Sequence, residues 1–518
     1  MDKNFKLSDI NNLDKIESLN GLFDGNNVFK NSANLVEKEC KVLSSLKEAI
    51  IKSGLKDGMT ISFHHHFRDG DFVLNKVMNV IAEMGIKNLT LSASSLLAIH
   101  EPLIEHIKNG VVKRIETSGV RGELAEQISR GLMDIPVVFR SHGGRAYAIH
   151  SGQLKLDVAF LGAASCDPFG NANGYSRDND TGIIFGSMGY AKTDAQYAHK
   201  VVIVTDNIVP FPNVPAGIPQ SDVDYVVKID AVGDPKGIMS GATRFTKNPK
   251  ELMIAETAAD VIEASGVFND GFSMQMGTGG ASLATARFLK EKMLRKNITC
   301  SFALGGITGQ IVKLHEEGLI KKLLDVQSFD LDAADSLKNN RFHQQISAYY
   351  YASPDNPGSA VNQLDFLILS ALEVDVNFNV NVLTGSDGVI RGAIGGHQDT
   401  AAGASLSIIT CPLTRGRIAT VVDKVNTIVT PGKTIDIIVT DQGVAVNPLR
   451  PDLKEKLEVA GINITTIEML RDKAASLVGH SLPIEYTEKV VGIVTYRDGS
   501  IIDVIHQIKE YDDESLDF

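Results

Sequence analysis

Several features that mark other protein classes are missing from this sequence. It has no uninterrupted run of about 18 apolar residues, and its N-terminus, MDKNFKLSDI, lacks the apolar core of a signal peptide. No C-x-x-C motif occurs among the four cysteines, Cys40, Cys166, Cys300 and Cys411. Their wide separation favours reduced, mostly buried thiols over a disulfide framework or a zinc site. These absences predict a cytoplasmic protein.

The chain also lacks the charge and the motifs of several functional classes. Its net charge of −12 argues against a nucleic acid or an anionic membrane as a partner, because both are negatively charged. It contains no G-x-S-x-G elbow, no Walker A loop and no H-E-x-x-H motif. The segment GTGGAS, residues 277–282, does not fit G-x-G-x-x-G, so dinucleotide binding is poorly supported.

One stretch of the sequence occurs twice. LDVAFLGAASCDPFGNANGY begins at Leu156, and LDFLILSALEVDVNFNVNVL begins at Leu364. This pattern indicates the duplication of a unit of about 200 residues, hence two similar domains with a site in the cleft between them. The same spacing pairs Asp157 with Asp365, Asp167 with Asp375, Asn171 with Asn379, Asn173 with Asn381, and GVVKRI at Gly110 with GLIKKL at Gly318.

Short β-branched runs alternate with helical segments along the chain. MTISF at Met59 precedes VLNKVMNVIAEMG, and the second half repeats this order with GFSMQMG and the helix at 281–292. The alternation predicts an α/β fold of two tandem domains, with mostly parallel sheets and helices on both faces. We predict an N-terminal arm over residues 1–45, a first domain over 46–238, and a second over 252–518 that includes a C-terminal hairpin and tail.

The loops that follow the strands hold the candidate site, because open α/β sheets bind ligands beyond the carboxyl ends of their strands. Glycines in such loops let backbone N–H groups approach a ligand and stabilise an oxyanion. A single Gly-Gly pair is more often a tight turn, but several such loops form a constellation. They are HHHFRDGD from His64, TGGAS from Thr278, LGGITG from Leu304, SFD from Ser328 and TGSDGVIRGAIGGHQD from Thr384.

The run His64–His66 admits a metal-binding interpretation. On an extended strand only His64 and His66 share a face, so they alone could bind one ion together. No nearby carboxylate is an obvious further ligand for zinc or iron. We therefore predict no metal site and favour hydrogen bonding of these histidines to an anionic ligand.

Two arginines belong to these loops. The planar guanidinium groups of Arg68 and Arg391 suit carboxylates or phosphates. Arg68 could instead form a surface ion pair with a neighbouring aspartate, and Arg391 and His397 carry the same ambiguity. The asparagines that recur in both copies are interpreted as turn residues.

Taken together, six segments resemble the citrate lyase alpha-subunit family, over roughly residue 40 to the end. The family implies two CoA-transferase-like α/β domains and exchange of acetyl for citrate on the thiol of an acyl-carrier protein. The segments are GLKDGMTISFHHHFRDGD, GFSMQMGTGGASLA, SFALGGITG, LLDVQSFD, NVNVLTGSDGVIRGAIGGHQDTAAGASL and VTDQGVAVNPLRPDL.

One position departs from the wider CoA-transferase superfamily. Many members carry S-E-N-G-I-x-G, whose glutamate forms a covalent thioester, whereas this chain has Leu304 at the corresponding place. A leucine cannot be acylated. The resemblance therefore implies that a carboxylate of citrate attacks the thioester within one ternary complex, through a mixed anhydride, while the protein orients the reactants and stabilises the oxyanion.

The resemblance and the loops together give the expected site and partners. We expect no cofactor bound by the chain itself; its acyl substrate is the phosphoribosyl-dephospho-CoA group of the carrier, or CoA. The expected partners are citrate, the acyl-carrier (gamma) subunit and the citryl-lyase (beta) subunit, in an oligomer without nucleic acid or membrane. The catalytic candidates are Gly305, Gly306, Gly395 and Gly396. The substrate-binding candidates are His65, His66, Arg68, Thr278, Gly279, Gly280, Ser328 and Arg391.

Three alternatives stay open from the sequence. A stand-alone CoA-transferase would use acetyl-CoA and a small di- or tricarboxylate. A sugar-phosphate isomerase on a related fold would need a carboxylate or lysine base, and none is obvious at the strand-end loops. A non-catalytic scaffold or regulator is the third, although the acidic chain and the missing DNA-binding motif argue against a transcriptional role.

Overall fold

Two sheets of similar strand order form the framework of the computed structural model. It describes residues 40–179, 181–239, 246–277, 279–479 and 483–509, so nearly all of the predicted N-terminal arm lies outside the described residues. The described residues from Val42 onward form one compact unit.

The helices and strands alternate along most of the described chain. The α-helices are α1 (Leu46–Ser53), α2 (Val73–Glu83), α3 (Leu103–Lys108), α4 (Gly122–Ser129), α5 (His142–His150), α6 (Gly189–Tyr197), α7 (Pro249–Ser265), α8 (Gly280–Lys296), α9 (Gly309–Glu316), α10 (Leu331–Asn339), α11 (Ala348–Ala352), α12 (His397–Gly403), α13 (Pro451–Val459) and α14 (Ile467–Val478). The strands of the first half are β1 (Val42–Leu43), β2 (Thr60–Phe63), β3 (Leu89–Ala93), β4 (Val112–Thr117), β5 (Val137–Phe139), β6 (Val158–Ala163), β7 (Ser165–Cys166), β8 (Ala172–Asn173), β9 (Lys200–Thr205) and β10 (Tyr225–Lys228). Those that follow are β11 (Phe272–Met276), β12 (Cys300–Ile307), β13 (Ile320–Ser328), β14 (His343–Gln345), β15 (Phe366–Ser370), β16 (Glu373–Asp375), β17 (Val380–Asn381), β18 (Leu406–Thr410), β19 (Thr414–Arg415), β20 (Ile418–Ala419), β21 (Val421–Val422), β22 (Ile437–Thr440), β23 (Gly443–Val446), β24 (Ile464–Thr465), β25 (Tyr486–Thr495) and β26 (Ile501–Ile508).

Seven strands follow one order in both sheets. The first sheet contains β10-β9-β6-β2-β3-β4-β5, and the second contains β22-β18-β15-β11-β12-β13-β14. Within each of these sets all the pairings are parallel. This mostly parallel α/β architecture agrees with the predicted fold class, and the shared order supports the interpretation of the repeat as two copies.

The sequence of each element explains its place in these layers. Every residue of β6 is buried, as expected for a parallel strand that is covered on both faces. In α2, Val73, Val77 and Ile81 recur at helical spacing and are buried, and the chain leaves the helix at Gly85 with a positive φ of 74°. Burial of such apolar faces is the main favourable contribution to folding.

The repeated Asp-Asn segments form the same turn in the two halves. The Asp167 carboxylate accepts hydrogen bonds from the Asn171 backbone N–H at 3.1 Å and from its side chain at 2.7 Å. Asp375 accepts the equivalent bonds from Asn379 at 3.0 and 3.1 Å. Asn171 and Asn379 are therefore turn residues, as predicted, whereas Asn173 and Asn381 lie on the short strands β8 and β17.

The C-terminal hairpin extends the sheet of the first half, although the sequence prediction includes it in the second domain. Strand β25 pairs in parallel with β5, and β26 lies at the edge. Arg497 at its tip donates to the carbonyl of Ala352 at 2.9 Å. The hairpin thus links the first sheet to α11 of the second half.

None of the helices in the described ranges combines the length and the apolarity that a membrane span requires.

Candidate active site

A cavity of about 540 Å³ lies where strands of both sheets end. From the first half, residues just beyond the carboxyl ends of β2, β3 and β4 line it; from the second half, residues at or beyond the ends of β11, β12, β13 and β15 do so. The principal lining side chains are those of His65, Arg68, Ser95, Ser118, Arg121, His142, Tyr190, Gln275, Gln327, Phe329, Tyr351, Ser370, Arg391, His397 and Arg415. This edge is where an α/β sheet binds its ligand.

The charge of this cavity has one sign. Arg68, Arg121, Arg391 and Arg415 line it, whereas no aspartate or glutamate occurs among the described residues of its wall. The three lining histidines stay neutral near pH 7, because burial lowers the pKa of His142 to about 3, that of His397 to about 4 and that of His65 well below its usual value. An anion is therefore the ligand that the cavity suits best.

Arg68 is the most buried of the four arginines. Its residue is only 7% exposed, and its guanidinium lies 5.3 Å from the centre of the Phe329 ring. Among the described residues Nη1 has no hydrogen-bond partner, so the surface ion pair considered above does not form at that nitrogen. Burial lowers the pKa of Arg68 to about 10, which leaves the group charged at neutral pH. A buried, charged donor with unused capacity is suited to a ligand carboxylate.

The hydroxyl of Ser94 lies within hydrogen-bonding distance of both His65 and His64. Ser94 Oγ lies 2.6 Å from His65 Nδ1 and 2.7 Å from His64 Nδ1. His66, in contrast, does not line the cavity: its ring stacks on Phe185 with centroids 4.2 Å apart. The rings of His64 and His66 are 4.3 Å apart, and no third His, Cys, Asp or Glu of the described residues joins them in a metal-binding group.

Ser328 also lies behind the cavity wall. Its hydroxyl donates to Asp325 at 2.6 Å and accepts from the backbone N–H of Ser187 at 3.2 Å. Asp325 in turn lies 3.2 Å from His343 Nε2. Ser328 therefore ties the loop before α6 to β13 of the other half, and its side chain is not available to a ligand in this arrangement.

The predicted glycines divide into those that line the cavity and those that do not. Gly306 does, while Gly305, with a φ of +97°, packs against the Gln275 side chain. The register of β12 against β13 shifts between these two glycines, a bulge that re-aims the backbone. A Cβ at Gly306 would overlap the Phe329 ring, so any other residue there requires the ring to move.

Of two further glycine pairs, one lies wholly on the cavity wall and the other is divided. Gly395 and Gly396 line the cavity, and a Cβ at Gly396 would collide with the Tyr351 hydroxyl. Gly279 lines it next to Ser370, whereas Gly280 begins α8 and faces Glu251. Thr278 lies outside the described residues.

Arg391 lines the mouth of the cavity from an exposed position. Its side chain is 53% exposed and forms an ion pair with Asp387, four residues earlier. The same guanidinium therefore forms an ion pair and belongs to a residue that lines the cavity, while its role toward a substrate stays a prediction.

Asp399 joins the two halves beside the cavity. Its carboxylate accepts hydrogen bonds from the Ser141 hydroxyl and from the Gly143 N–H, each at 2.8 Å. The backbone N–H of His142 donates to the carbonyl of Gly395 at 2.9 Å. These bonds fix the beginning of α5 against the Gly395–His397 segment. Burial raises the pKa of Asp399 to about 6.

Comparison with known proteins identifies the family that has this arrangement. The model of the citrate lyase alpha-subunit family matches residues 39–508. The citrate lyase alpha chain of Haemophilus influenzae is 60% identical over 473 residues, which cover 91% of this chain and 94% of that protein. This chain belongs to the citrate lyase alpha-subunit family.

Solved structures agree with the membership. A chain described as a citrate lyase alpha subunit from Streptococcus mutans, in complex with citrate, has 57% identity and a TM-score of 0.89, covering 92% of each chain. A 4-hydroxybutyrate CoA-transferase from Porphyromonas gingivalis, 19% identical, has a TM-score of 0.50 over 81% of this chain and 97% of that one, and shares the fold alone. The fold of this citrate lyase alpha-subunit family member is thus CoA-transferase-like.

Leu304 is buried in this family member. It is 1% exposed and packs in an apolar cluster with Val326 and Tyr351. It does not line the cavity. Among the described residues, no aspartate or glutamate lines the cavity at the end of β12.

Several residues that line the cavity were not predicted from the sequence. His142 and Tyr190 lie at the beginnings of α5 and α6. In the second half, the side-chain amide of Gln275 donates a hydrogen bond to the Tyr351 hydroxyl at 2.9 Å. Arg121 follows the end of β4, so the strand-end rule that located Arg68 would have located it as well.

Proposed function

We propose that this chain is the transferase component of citrate lyase, and that it exchanges acetyl for citrate on the thiol of an acyl-carrier protein. Family membership supports the general assignment. The observation that carries the chemistry is the cavity wall, which has four arginines and, among its described residues, no carboxylate. Such a site binds a polyanion, and it offers no protein carboxylate to act as an acyl acceptor.

The reaction then proceeds in two balanced steps within one ternary complex. A citrate carboxylate oxygen attacks the acetyl thioester carbonyl, the C–S bond breaks, and the thiolate leaves while an acetyl–citryl anhydride forms. The thiolate next attacks the citryl carbonyl, the anhydride C–O bond breaks, and acetate leaves. No proton is gained or lost overall. Both steps gain from fixed orientation and from donors placed at the developing oxyanion.

Each group of lining residues has a role in this scheme. Arg68 binds a citrate carboxylate through its buried guanidinium, and His65 adds a neutral hydrogen bond. The backbone amides of Gly306, Gly395 and Gly396 are the candidates for the oxyanion site, because these glycines line the cavity. A Cβ at Gly306 or Gly396 would clash with the Phe329 ring or the Tyr351 hydroxyl.

The acyl substrate enters from the exposed side. We place the CoA-like arm of the carrier beside Arg121 and Arg391, which are exposed cations at the cavity. The carrier (gamma) subunit docks outside this mouth, and the citryl-lyase (beta) subunit receives the product. The chain itself needs no bound cofactor or metal, and the proposed reaction takes place in the cytoplasm.

Transfer assays test this function. The purified chain is incubated with citrate and acetylated carrier protein, and acetate and citryl thioester are quantified. We expect equimolar formation of both, together with co-elution of the chain with the carrier and lyase subunits in size exclusion. Release of acetate at full rate from free acetyl-CoA, by a chain that binds neither subunit at micromolar concentration, would instead make it a stand-alone CoA-transferase. Absence of transfer from either thioester would refute the proposal.

A further inference from the structure

The hydroxyl of Ser94 lies between two imidazoles at the end of β3. Its Oγ is 2.7 Å from Nδ1 of His64 and 2.6 Å from Nδ1 of His65, and all three residues are buried. A serine hydroxyl has one proton to donate. It can therefore act as a donor toward only one of the two rings, and the other ring must donate to it.

The charge state of the rings limits the possible arrangements. Burial lowers the pKa of both His64 and His65 well below its usual value, so each ring is neutral and carries one proton. If neither Nδ1 were protonated, one of them would face the Ser94 oxygen lone pair to lone pair. If both were protonated, the Ser94 proton would need a third acceptor, and the described chain places none within hydrogen-bonding distance. One Nδ1 is protonated and the other is not.

The second nitrogen of His64 decides which ring donates. His64 Nε2 is buried and has no hydrogen-bond partner among the residues described. An orphaned buried N–H is rarer than an orphaned acceptor. The His64 proton therefore lies on Nδ1 and is donated to Ser94, whose own proton goes to Nδ1 of His65. The proton of His65 is then on Nε2, the nitrogen left to face the cavity.

We propose that Ser94 is a positioning residue that holds His65 in its Nε2-protonated tautomer, so that a neutral ring donates a hydrogen bond to the anionic substrate. This inference rests on the proposed function for its substrate. The four arginines of the wall favour an anionic ligand, and the opposite tautomer would direct a ring lone pair at that anion.

Nitrogen NMR of the full chain reads the tautomer directly. The protein is labelled with ¹⁵N-histidine, and the His65 and His64 signals are assigned by their loss in His65→Gln and His64→Gln. Protonated and unprotonated ring nitrogens have well-separated shifts. We expect His65 to be protonated at Nε2 and His64 at Nδ1 near pH 7. Protonation of His65 at Nδ1 would overturn the proposal.

A double-mutant cycle separates tautomer control from a merely structural role. Ser94→Ala frees the His65 tautomer, and it should weaken citrate binding about tenfold or more in calorimetry. In a His65→Gln background, where the amide donates without a tautomer, Ser94→Ala should change the dissociation constant less than about twofold. An equal loss in both backgrounds would contradict the proposal.

A matched serine supplies the control. Ser62 lies on the neighbouring strand β2, is buried, and has no hydrogen-bond partner for its hydroxyl in the described chain. Ser62→Ala should leave the His65 tautomer and the citrate affinity unchanged. If the unmodified chain bound no citrate, the proposed function would fail, while the ¹⁵N signals of the same protein would still decide the tautomer.

Discussion

The buried charge of Arg68 leads to a prediction in which substrate binding and folding stability change in opposite directions. Arg68→Met keeps the apolar stem and removes the guanidinium. A hydrogen bond to a charged group contributes about 1.5–3 kcal/mol, so the citrate dissociation constant should rise about 12- to 160-fold. Nη1 has no partner among the described residues and burial lowers the pKa of the group to about 10. Removal of this buried charge should therefore leave the free energy of unfolding unchanged or raise it.

Isothermal titration calorimetry with citrate and urea unfolding measure the two effects on one preparation. Arg341→Met is the matched control, because the Arg341 guanidinium also lies over a ring, 4.6 Å from the centre of Phe342, but does not line the cavity. That variant should bind citrate normally. The reasoning is refuted if Arg68→Met binds citrate as tightly as the unmodified chain, or if its lost affinity is accompanied by an equal loss of folding stability.

Three further substitutions test other parts of the account. Gly306→Ala should displace the Phe329 ring, which should lower kcat/KM about 100-fold and the free energy of unfolding by about 1–3 kcal/mol. Steady-state kinetics and urea unfolding measure the two effects. Gly358→Ala, at an exposed glycine, is the control. Leu304→Glu should lower the unfolding free energy by about 2–5 kcal/mol, because the carboxyl enters an apolar cluster, and mass spectrometry should find no glutamyl thioester. Burial raises the pKa of Asp71 to about 7, so the folded state binds the extra proton. As the pH rises from about 4 to about 7, the free energy of unfolding of the unmodified chain should fall by about 2–4 kcal/mol relative to that of Asp71→Asn, as measured by urea titrations. A difference between the two proteins that does not depend on pH would contradict this.

The strand-end rule located much of the cavity from the sequence. Parallel strands end at one edge, so His65, Arg68, Gly306 and Gly396 come together although they are far apart in the chain. The same rule could not tell which way neighbouring side chains point. His65 faces the cavity and His66 stacks on Phe185 behind it, a difference set by packing.

Contacts between distant segments were not predictable in this way. His142 reaches the cavity because α5 is held by Asp399, 256 residues away from Gly143. The C-terminal hairpin joins the first sheet through pairing with β5, where Thr495 donates to the carbonyl of Phe139 at 3.0 Å across 356 residues. Local periodicity predicts that such elements exist, but their partners depend on the packing of the whole chain.

Trapping of the acyl group tests the central claim, that citrate and not the protein accepts the acetyl group. The chain is incubated with acetyl-labelled carrier protein, with and without citrate, and then treated with hydroxylamine. The account predicts no side-chain hydroxamate on this chain after incubation without citrate, and labelled acetate in equimolar amount with citryl thioester, measured before hydroxylamine is added, when citrate is present. A glutamyl or aspartyl hydroxamate formed on the chain in the absence of citrate, with ping-pong kinetics, would contradict it.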